Sequence, residues 1–363
     1  MPEIRVAAVG VGNCAAALLH GIEHHRRHPE TAAGLMHAAV GGYRPWDIRV
    51  VAAFDVDPRK VGRPLEEALL APPNCVVAPP WELPATGVTV QMGPVLDGVA
   101  RHMAEYPPER AFRVADLPPV DVAATLRSVG AEILLSYLPV GSEEASRHYA
   151  RCCLEAGVSL VNCMPAFIVS DPEWGARFRD AGIPCVGDDV KSQVGATVIH
   201  RTLARLFADR GAELRRTYQL NTGGNTDFLN MLEGARLSSK KISKTEAVQA
   251  VLPEPLPADQ IHIGPSDYVP WQGDNKVCFL RLEAAGFGGA PIELEARLSV
   301  QDSPNSGGVT VDAVRVCRVA RDRGEAGPLL PISAYTMKHP PVQMPEDEAR
   351  RQLEAYLLAP GHP

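Results

Sequence analysis

A glycine-rich turn near the N-terminus reads Ile4-Arg-Val-Ala-Ala-Val-Gly10-Val-Gly12-Asn-Cys-Ala15, an apolar strand followed by the pattern G-x-G-x-x-A and a helical stretch. In dinucleotide-binding folds such a turn is tight, lets the backbone approach a pyrophosphate, and points a helix N-terminus at that anion. The context therefore favours a cofactor site at Gly10, Gly12, Asn13 and Cys14 over a purely structural glycine turn.

Alternating strand and helix patterns continue from this turn to about residue 209. This alternation is typical of an α/β, Rossmann-like, doubly wound parallel sheet. The predicted strands are Ile4–Val9, Ile48–Phe54, Ile133–Leu135, Leu160–Asn162 and Pro184–Val186, and the predicted helices cover 13–28, 142–156, 172–181 and 194–209.

Beyond Gly211 the pattern changes to polar and apolar alternation at 215–222, 277–283 and 292–300, which predicts antiparallel strands. A helical period returns at 309–322, and one more helix is predicted near 345–358. We therefore predict an inserted antiparallel α+β domain, to which the family resemblance given below assigns catalysis and oligomerisation. The predicted domains are an NAD-binding domain at 1–205, the inserted domain at 206–307, and a C-terminal return onto the first domain at 308–363.

An acidic residue at the end of the second strand would bind the adenosine ribose of a dinucleotide, and Asp55 occupies that place. It lies 45 residues after Gly10 rather than about 20, so residues 29–47 would be an insertion. A carboxylate there repels a 2′-phosphate, which favours NAD over NADP.

The overall composition excludes several classes of protein. The 363 residues carry a net charge of −7, and no apolar run is long enough to span a membrane, so neither a nucleic acid nor a membrane is expected as a partner. Eight scattered cysteines without paired spacing, together with the absence of a leader, predict reduced thiols and a soluble, cytoplasmic protein. No cluster has the spacing of a metal site.

Lysine is rare in this chain: 7 of the 36 basic residues are Lys and the other 29 are Arg. Arg therefore serves wherever plain positive charge suffices, and the remaining lysines are candidates for chemistry that Arg performs poorly, such as giving up a proton. Five of the seven lie between residues 240 and 338, within Gly-, Asn- and Asp-rich motifs.

The carboxyl ends of parallel strands face the ligand crevice. Here these ends read Ser136-Tyr-Leu-Pro139, Asn162-Cys-Met-Pro165 and Gly187-Asp-Asp-Val-Lys-Ser-Gln-Val-Gly195. The last turn enters a helix and could hold a phosphate through backbone N–H groups. The alternative, a helix capped by Asp188 or Asp189, stays open on this motif alone.

Four motifs in one order carry a family resemblance: Gly-Asp-Asp-x-Lys-Ser-Gln from Gly187, Asn-x-Gly-Gly-Asn-x-Asp from Asn221, Ser-Lys-Lys-Ile-Ser-Lys from Ser239 and Asp-Ser-Pro-Asn-Ser from Asp302. With them the chain resembles myo-inositol-1-phosphate synthases over essentially its whole length, and the short actinobacterial type in particular. The resemblance implies an intramolecular lyase that cyclises a hexose 6-phosphate to a cyclitol phosphate. NAD oxidises C5, an enolate at C6 attacks the C1 aldehyde, and C5 is then reduced again, so NAD is not consumed.

The resemblance also implies roles for individual residues. The catalytic residues would be Lys240, Lys276, Lys338, Asp189, Asp227 and Asp302. Ser192, Gln193 and Lys244 would hold the substrate phosphate. Gly10, Gly12, Asn13, Cys14, Asp55, Ser136, Asn162 and Asp188 would line NAD. Family members are commonly tetramers, so a homotetramer is expected, and the sequence leaves open whether a divalent or monovalent cation assists at the phosphate.

The chain departs from the usual family pattern near the sugar, at Thr222, Thr226, Gln272, Cys278 and Gln301. The leading interpretation is conversion of glucose 6-phosphate to 1D-myo-inositol 3-phosphate. The alternative is a specialised relative that cyclises fructose 6-phosphate to a five-membered ring, as for a carbocyclic nucleoside precursor. A simple NAD-dependent sugar-phosphate dehydrogenase and a non-catalytic NAD-binding regulator are more remote alternatives.

Overall fold

The computed structural model describes residues 3–77 and 79–359. Residues 1, 2, 78 and 360–363 lie outside this description, and they include the start of the first predicted domain and the end of the last. In chain order the elements are β1 (Ile4–Val9), α1 (Asn13–Arg27), β2 (Ile48–Asp55), α2 (Leu65–Ala68), β3 (Val90–Met92), α3 (Val122–Ser128), β4 (Ile133–Ser136), α4 (Glu143–Ala156), β5 (Ser159–Asn162), α5 (Pro172–Asp180), β6 (Pro184–Val186), α6 (Ala196–Asp209), β7 (Glu213–Gly223), α7 (Thr226–Asn230), α8 (Ser238–Gln249), β8 (Ile261–Tyr268), β9 (Asn275–Ala285), β10 (Pro291–Gln301), α9 (Asp302–Asp322), β11 (Gly327–Pro328), α10 (Leu330–Thr336) and α11 (Glu346–Leu358).

A seven-stranded parallel sheet forms the first layer of the fold, in the order β11-β6-β5-β4-β1-β2-β3. Apolar side chains cover both of its faces. One face packs against α3, α4 and α5, through residues such as Leu126, Tyr149 and Phe178. The opposite face packs against α1, α9 and α11, through residues such as Leu18 and Val314. The predicted doubly wound parallel sheet is confirmed.

A separate four-stranded sheet has the order β10-β9-β7-β8. Strands β7, β9 and β10 are antiparallel neighbours, as expected, whereas β8 pairs parallel with β7, so the sheet is mixed rather than purely antiparallel. The sequence analysis missed β8 because Gly264 and Pro265 interrupt its alternation, and these residues usually indicate a turn.

Two long helices connect the sheets. Helix α6 begins after the parallel sheet and leads into β7, and α9 begins directly after β10 and packs back against α1. The predicted domain boundaries, 205/206 and 307/308, fall within these continuous helices, and the division into domains stays a prediction. Helix α9 begins seven residues before its predicted start at 309, because Pro304 lies in its first turn, where proline is tolerated.

Candidate active site

A deep cleft opens at the carboxyl ends of the parallel strands, where the second sheet approaches them. Thirteen of the residues singled out by sequence line it: Gly10, Gly12, Asn13, Cys14, Asp55, Asp189, Ser192, Asp227, Lys240, Lys244, Lys276, Asp302 and Lys338. The cleft therefore collects the predicted dinucleotide turn and the predicted lysines in one place.

The glycine turn forms one end of the cleft. Gly10 adopts a positive φ of 88°, and a side chain there would overlap the Tyr137 carbonyl, so glycine is required. Gly12 is the N-cap residue of α1 and lines the cleft, and the space beside its Cα is open. The side-chain oxygen of Asn13 accepts a hydrogen bond from the amide of Cys75 at 2.7 Å, which holds the 74–76 loop beside this turn.

Asp55 ends β2 next to the same turn. Its Oδ2 accepts a hydrogen bond from the Val11 amide at 2.8 Å, and its Oδ1 accepts one from the Asp57 amide at 2.9 Å. Lys60 is buried against the turn: its Nζ donates to the Val11 carbonyl at 2.7 Å and lies 3.9 Å from Asp55 Oδ2. Burial lowers the pKa of Lys60, and the charge of Asp55 opposes this.

Asp189 lies at the centre of the opposite end of the cleft. Its Oδ1 accepts a hydrogen bond from Lys338 Nζ at 2.8 Å and lies 3.6 Å from Lys240 Nζ, and its Oδ2 accepts one from Ser243 Oγ at 2.6 Å. Burial alone would raise the pKa of Asp189, but the two lysines hold it well below its ordinary value. Asp189 is therefore a permanent carboxylate shared by two lysines.

Backbone pairing brings Asp189 and Lys338 together. Residues 188–191 and 336–339 run side by side: the Lys338 amide donates to the Asp189 carbonyl at 2.7 Å, and the Lys191 amide donates to the Thr336 carbonyl at 2.8 Å. We call these two stretches the paired segments. Asp189 itself has a positive φ of 62°, which is uncommon outside glycine and directs its carboxylate toward the lysines.

The two lysines on Asp189 differ in acidity. Burial lowers the pKa of Lys240, but Asp189, Asp227 and Asp302 together raise it above its ordinary value. For Lys338, burial and the neighbouring Lys240 outweigh Asp189, so its pKa is lowered. Lys240 is thus a lasting cation, and Lys338 gives up its proton more readily.

A second ion pair crosses the cleft from the second sheet. Lys276 on β9 lies 3.1 Å from Asp302, the first residue of α9. Burial would raise the pKa of Asp302, but Lys276, Lys338 and Lys240 lower it below its ordinary value. The carboxylate therefore stays charged between three cations.

Lys244 lies one turn after Lys240 on α8 and is 4% exposed. Burial and the charges of Lys240, Lys276 and Lys338 lower its pKa well below the ordinary value. Ser192 lines the same end of the cleft. An anion bound here would lie among four lysines, so this end of the cleft is suited to a phosphate.

Comparison with known proteins agrees with this geometry. The family model described as myo-inositol-1-phosphate synthase matches residues 195–303. Inositol-3-phosphate synthase of Mycobacterium tuberculosis (strain CDC 1551) is 52% identical over 358 residues, covering 98% of this chain and 96% of that protein. The enzyme of the same name from Mycolicibacterium smegmatis is 52% identical over 361 residues, covering 98% of both. The chain belongs to the myo-inositol-1-phosphate synthase family.

A solved structure shows that the fold is shared as well. The myo-inositol-1-phosphate synthase-related protein from Thermotoga maritima superposes with a TM-score of 0.82 over 99% of this chain and 100% of that one, at 23% identity. The family resemblance predicted from the four motifs is therefore confirmed.

Four predicted site residues of this family member do not line the cleft. Asn162 Nδ2 donates to Asp188 Oδ1 at 2.7 Å, and Asp188 accepts three amide hydrogen bonds from Ile168, Val169 and Ser170. Burial raises the pKa of Asp188 to about 6, although these hydrogen bonds oppose the rise. The two side chains hold the 163–170 loop in place, and their immediate neighbours Cys163 and Asp189 line the cleft instead.

Ser136 and Gln193 are the other two. Ser136 is buried at the end of β4, and the next residue, Tyr137, lines the cleft. Gln193 Nε2 donates to the Gly34 carbonyl at 2.8 Å, away from the cleft lining. The placement of these four side chains disfavours direct contact of Gln193 with phosphate and of Ser136, Asn162 and Asp188 with NAD. These contacts stay predictions.

Asp274 is a site residue that was not predicted from the sequence. Its Oδ1 accepts hydrogen bonds from Asn225 Nδ2 at 3.0 Å and Ser303 Oγ at 2.7 Å. Asn225 in turn caps α7, which carries Asp227. Asp274 therefore fixes the helix starts that present Asp227 and Asp302, and its position two residues before Lys276 was the available signal.

Across residues 3–77 and 79–359, no group of three or more His, Cys, Asp or Glu side chains is arranged to hold a metal ion. No helix in the described part of the chain is both long and apolar enough to cross a bilayer.

Proposed function

We propose that this protein is an inositol-3-phosphate synthase that converts glucose 6-phosphate to 1D-myo-inositol 3-phosphate, with NAD as a cofactor that is not consumed. The observation that carries the proposal is the single carboxylate of Asp189, which binds Lys338 at 2.8 Å and Lys240 at 3.6 Å in a cleft that also contains a dinucleotide-type turn. The relatives named inositol-3-phosphate synthase, at 52% identity over nearly the full chain, support it.

The cleft fits NAD at its glycine end. A Cβ on Gly12 would fill the open space beside the N-terminus of α1, where a pyrophosphate would lie. Asp55, with the Val11 amide on one oxygen, would accept hydrogen bonds from the ribose hydroxyls. When bound, NAD supplies a reversible hydride acceptor for C5 of the sugar.

The residues of the chain would supply proton transfer and charge. Lys338 Nζ, whose pKa is lowered, would accept the proton from the C5 hydroxyl and return it later. Lys240 keeps its proton and would stabilise oxyanions that develop on the sugar. Lys276, paired with Asp302 on the other wall, would do the same at the second oxygen.

Lys244 and Ser192 would hold the substrate phosphate. A neutral amine binds a phosphate poorly, but a phosphate dianion offsets the repulsion from the neighbouring lysines and raises the pKa of Lys244 again. Substrate binding would therefore charge Lys244. Proton uptake on binding, measured by calorimetry in buffers of different ionisation enthalpy, would support this role.

The fructose 6-phosphate alternative depends on the five departures from the family pattern, all of which lie in the described ranges. Of these, Thr226 lines the cleft. Cys278 is instead buried in an apolar cluster with Ala196 and Leu280, and Gln301 is exposed at the end of β10. This placement favours glucose 6-phosphate, because one changed group in the cleft alters few substrate contacts.

Product analysis tests the proposal. The protein is incubated with NAD and either glucose 6-phosphate or fructose 6-phosphate, and the products are identified by NMR. We expect an inositol phosphate from glucose 6-phosphate, with a kcat/KM ratio above about 100 over fructose 6-phosphate, as one or two mismatched polar contacts would produce. A five-membered cyclitol phosphate, or a steady rise of absorbance at 340 nm from released NADH, would contradict it.

We further propose that the protein assembles as a homotetramer through the second sheet. On its outward face Phe279 pairs with Leu220 and Arg297 on the neighbouring strands, and Phe279 is 44% exposed. Helices α6 and α8 pack on the inner face, through Ala204, Phe207 and Val248. An open sheet face with a half-exposed aromatic residue is typical of a surface that pairs with another copy.

A further inference from the structure

Lys191 is a buried lysine of the Asp-Asp-Val-Lys-Ser-Gln motif that the proposed chemistry does not use. It is 1% exposed. Its Nζ donates to the Ala334 carbonyl at 2.9 Å and to Glu346 Oε1 at 2.8 Å. Arg201 on α6 has its Nη1 3.2 Å from the same oxygen and also donates to the Met344 carbonyl. We call Lys191, Arg201 and Glu346 the C-terminal latch.

The C-terminal latch lies at one end of the paired segments. Lys191 ends the first of them, and its amide bonds to Thr336, which begins the second. Asp189 lies two residues before Lys191, and Lys338 lies two residues after Thr336. The side chains of Asp189 and Lys338 meet at 2.8 Å. Holding Lys191 therefore holds the register of the two segments, and with it the contact between these side chains.

A short connection leads from Lys338 to the C-terminal latch. Gln343 Nε2 donates to the Lys338 carbonyl at 2.7 Å, so the chain between them forms a closed turn. Pro340 and Pro341 lie within this turn and restrict its backbone. Because Glu346 follows three residues later as the first residue of α11, a shift at the start of this helix would move Lys338.

The charges of the C-terminal latch make Glu346 its critical member. Two buried cations share this one carboxylate, whose side chain is 22% exposed. Burial, with the charges of Arg201 and Lys338, lowers the pKa of Lys191 to about 8, although Glu346 opposes the fall. Without Glu346, Lys191 and Arg201 would repel each other and Lys338 with no compensating anion.

We propose that Glu346 is a positioning residue: through Lys191 and Arg201 it holds the paired segments in the register that places Lys338 Nζ against Asp189. This inference rests on the proposed function, since Lys338 and Asp189 matter for catalysis only within it. It assigns to the C-terminal helix a part in the reaction, although α11 contributes no side chain to the cleft lining that the structure describes.

The test uses Glu346→Gln, which keeps the shape of the side chain and removes its charge. We expect kcat for inositol phosphate formation to fall about ten- to hundredfold, as small misplacements of catalytic groups do, with KM for NAD changed less than twofold. Hydrogen exchange at the Lys191 and Lys338 amides should become at least tenfold faster. The matched control is Glu354→Gln on the same helix, which pairs with Arg350 at the surface and should leave all three quantities unchanged.

The outcomes separate this inference from the proposed function. A Glu346→Gln variant that has a lower Tm but unchanged kcat and unchanged exchange rates would overturn it, because Glu346 would then be structural only. If the wild-type protein formed no inositol phosphate, the proposed function would fail, and the exchange rates would decide whether the C-terminal latch holds the paired segments. Should Glu346→Gln not fold, Glu346→Asp, which keeps the charge but shortens the reach, is expected to show a smaller loss of kcat in the same direction.

Discussion

At the residue scale, two lysines of the cleft have pKa values shifted in opposite directions. Lys240 faces three carboxylates, whereas Lys338 shares Asp189 with another lysine, so the pKa of the first is raised and that of the second lowered. Arg would neither give up a proton nor supply a compact charge, which is consistent with the presence of lysine here in an Arg-rich chain.

The role of Lys276 is tested by Lys276→Ala. Turnover should fall ~10²–10³-fold in kcat, because a donor to a developing oxyanion is lost. NAD affinity, measured by fluorescence titration, should stay near normal, since Lys276 pairs with Asp302 rather than with the glycine turn. Lys276→Arg should fail too, because the larger, planar guanidinium does not place a compact charge at the position of the ammonium group. More than a tenth of the wild-type rate in the Ala variant would show that this role is assigned wrongly.

Asp55→Ala tests the other end of the cleft. KM for NAD should rise about tenfold or more, because the ribose loses its acceptor and the Val11 amide loses its 2.8 Å partner. KM for the sugar phosphate should change little. Steady-state kinetics with each substrate varied in turn provides the measurement, and Asp116→Ala, in a loop outside the cleft lining, is a suitable control. Unchanged NAD affinity would mean that the ribose lies elsewhere.

At the scale of elements, α6 joins the parallel sheet to the second sheet by a buried polar contact. His200 is 0% exposed, and its ring nitrogens lie 2.8 Å from Thr217 Oγ1 and 3.3 Å from Gln219 Oε1, both on β7. Burial lowers the pKa of His200 to about 4. The helix that follows the Asp189 turn is therefore docked through a neutral imidazole.

This contact predicts a pH dependence of stability. Unfolded His200 binds a proton below about pH 6.5, while the folded state resists protonation until about pH 4, so acidification through this window favours unfolding. We expect His200 to contribute about 2 kcal/mol to the loss of unfolding free energy between pH 7 and pH 5. Urea denaturation of wild type and His200→Gln at both pH values measures it. The exposed His262→Gln is the control, and equal pH dependence in wild type and His200→Gln would contradict the prediction.

At the scale of the whole molecule, the second sheet serves two surfaces at once. Its inner face and strand ends carry Lys276 into the cleft, and its outward face carries Phe279. Because both lie on β9, association through the outward face would stiffen the strand that presents Lys276. Assembly and activity are therefore expected to be coupled.

Phe279→Asp tests the proposed tetramer. Placing a charge at the centre of the outward face should dissociate the assembly to dimers or monomers, which sedimentation velocity would detect. The kcat of the variant should fall as the protein concentration is lowered, because dilution favours dissociation. Leu358→Asp, at the exposed end of α11, should leave the assembly intact. A wild-type protein that sediments as a monomer at micromolar concentration would contradict the proposal.

Local patterns were sufficient for much of this protein. Strand and helix periods along residues 4–209 predicted the parallel sheet, since such periods report directly which side chains are buried. Motif order identified the family, and the G-x-G-x-x-A pattern after β1 identified the turn at Gly10. The lysines 240, 244, 276 and 338 could be singled out because lysine is rare in this chain.

The tertiary structure alone decided which of these groups meet. Asn162 and Asp188 stand at strand ends like Asp55, yet their side chains form hydrogen bonds to each other and to the 163–170 loop. A strand end does not specify which neighbouring residue faces the cleft. Asp189 and Lys338 are 149 residues apart and become partners through backbone pairing. Their pKa values, and the buried anchor at Glu346, depend on burial and on charges brought together by folding, and no local period of the sequence encodes either quantity.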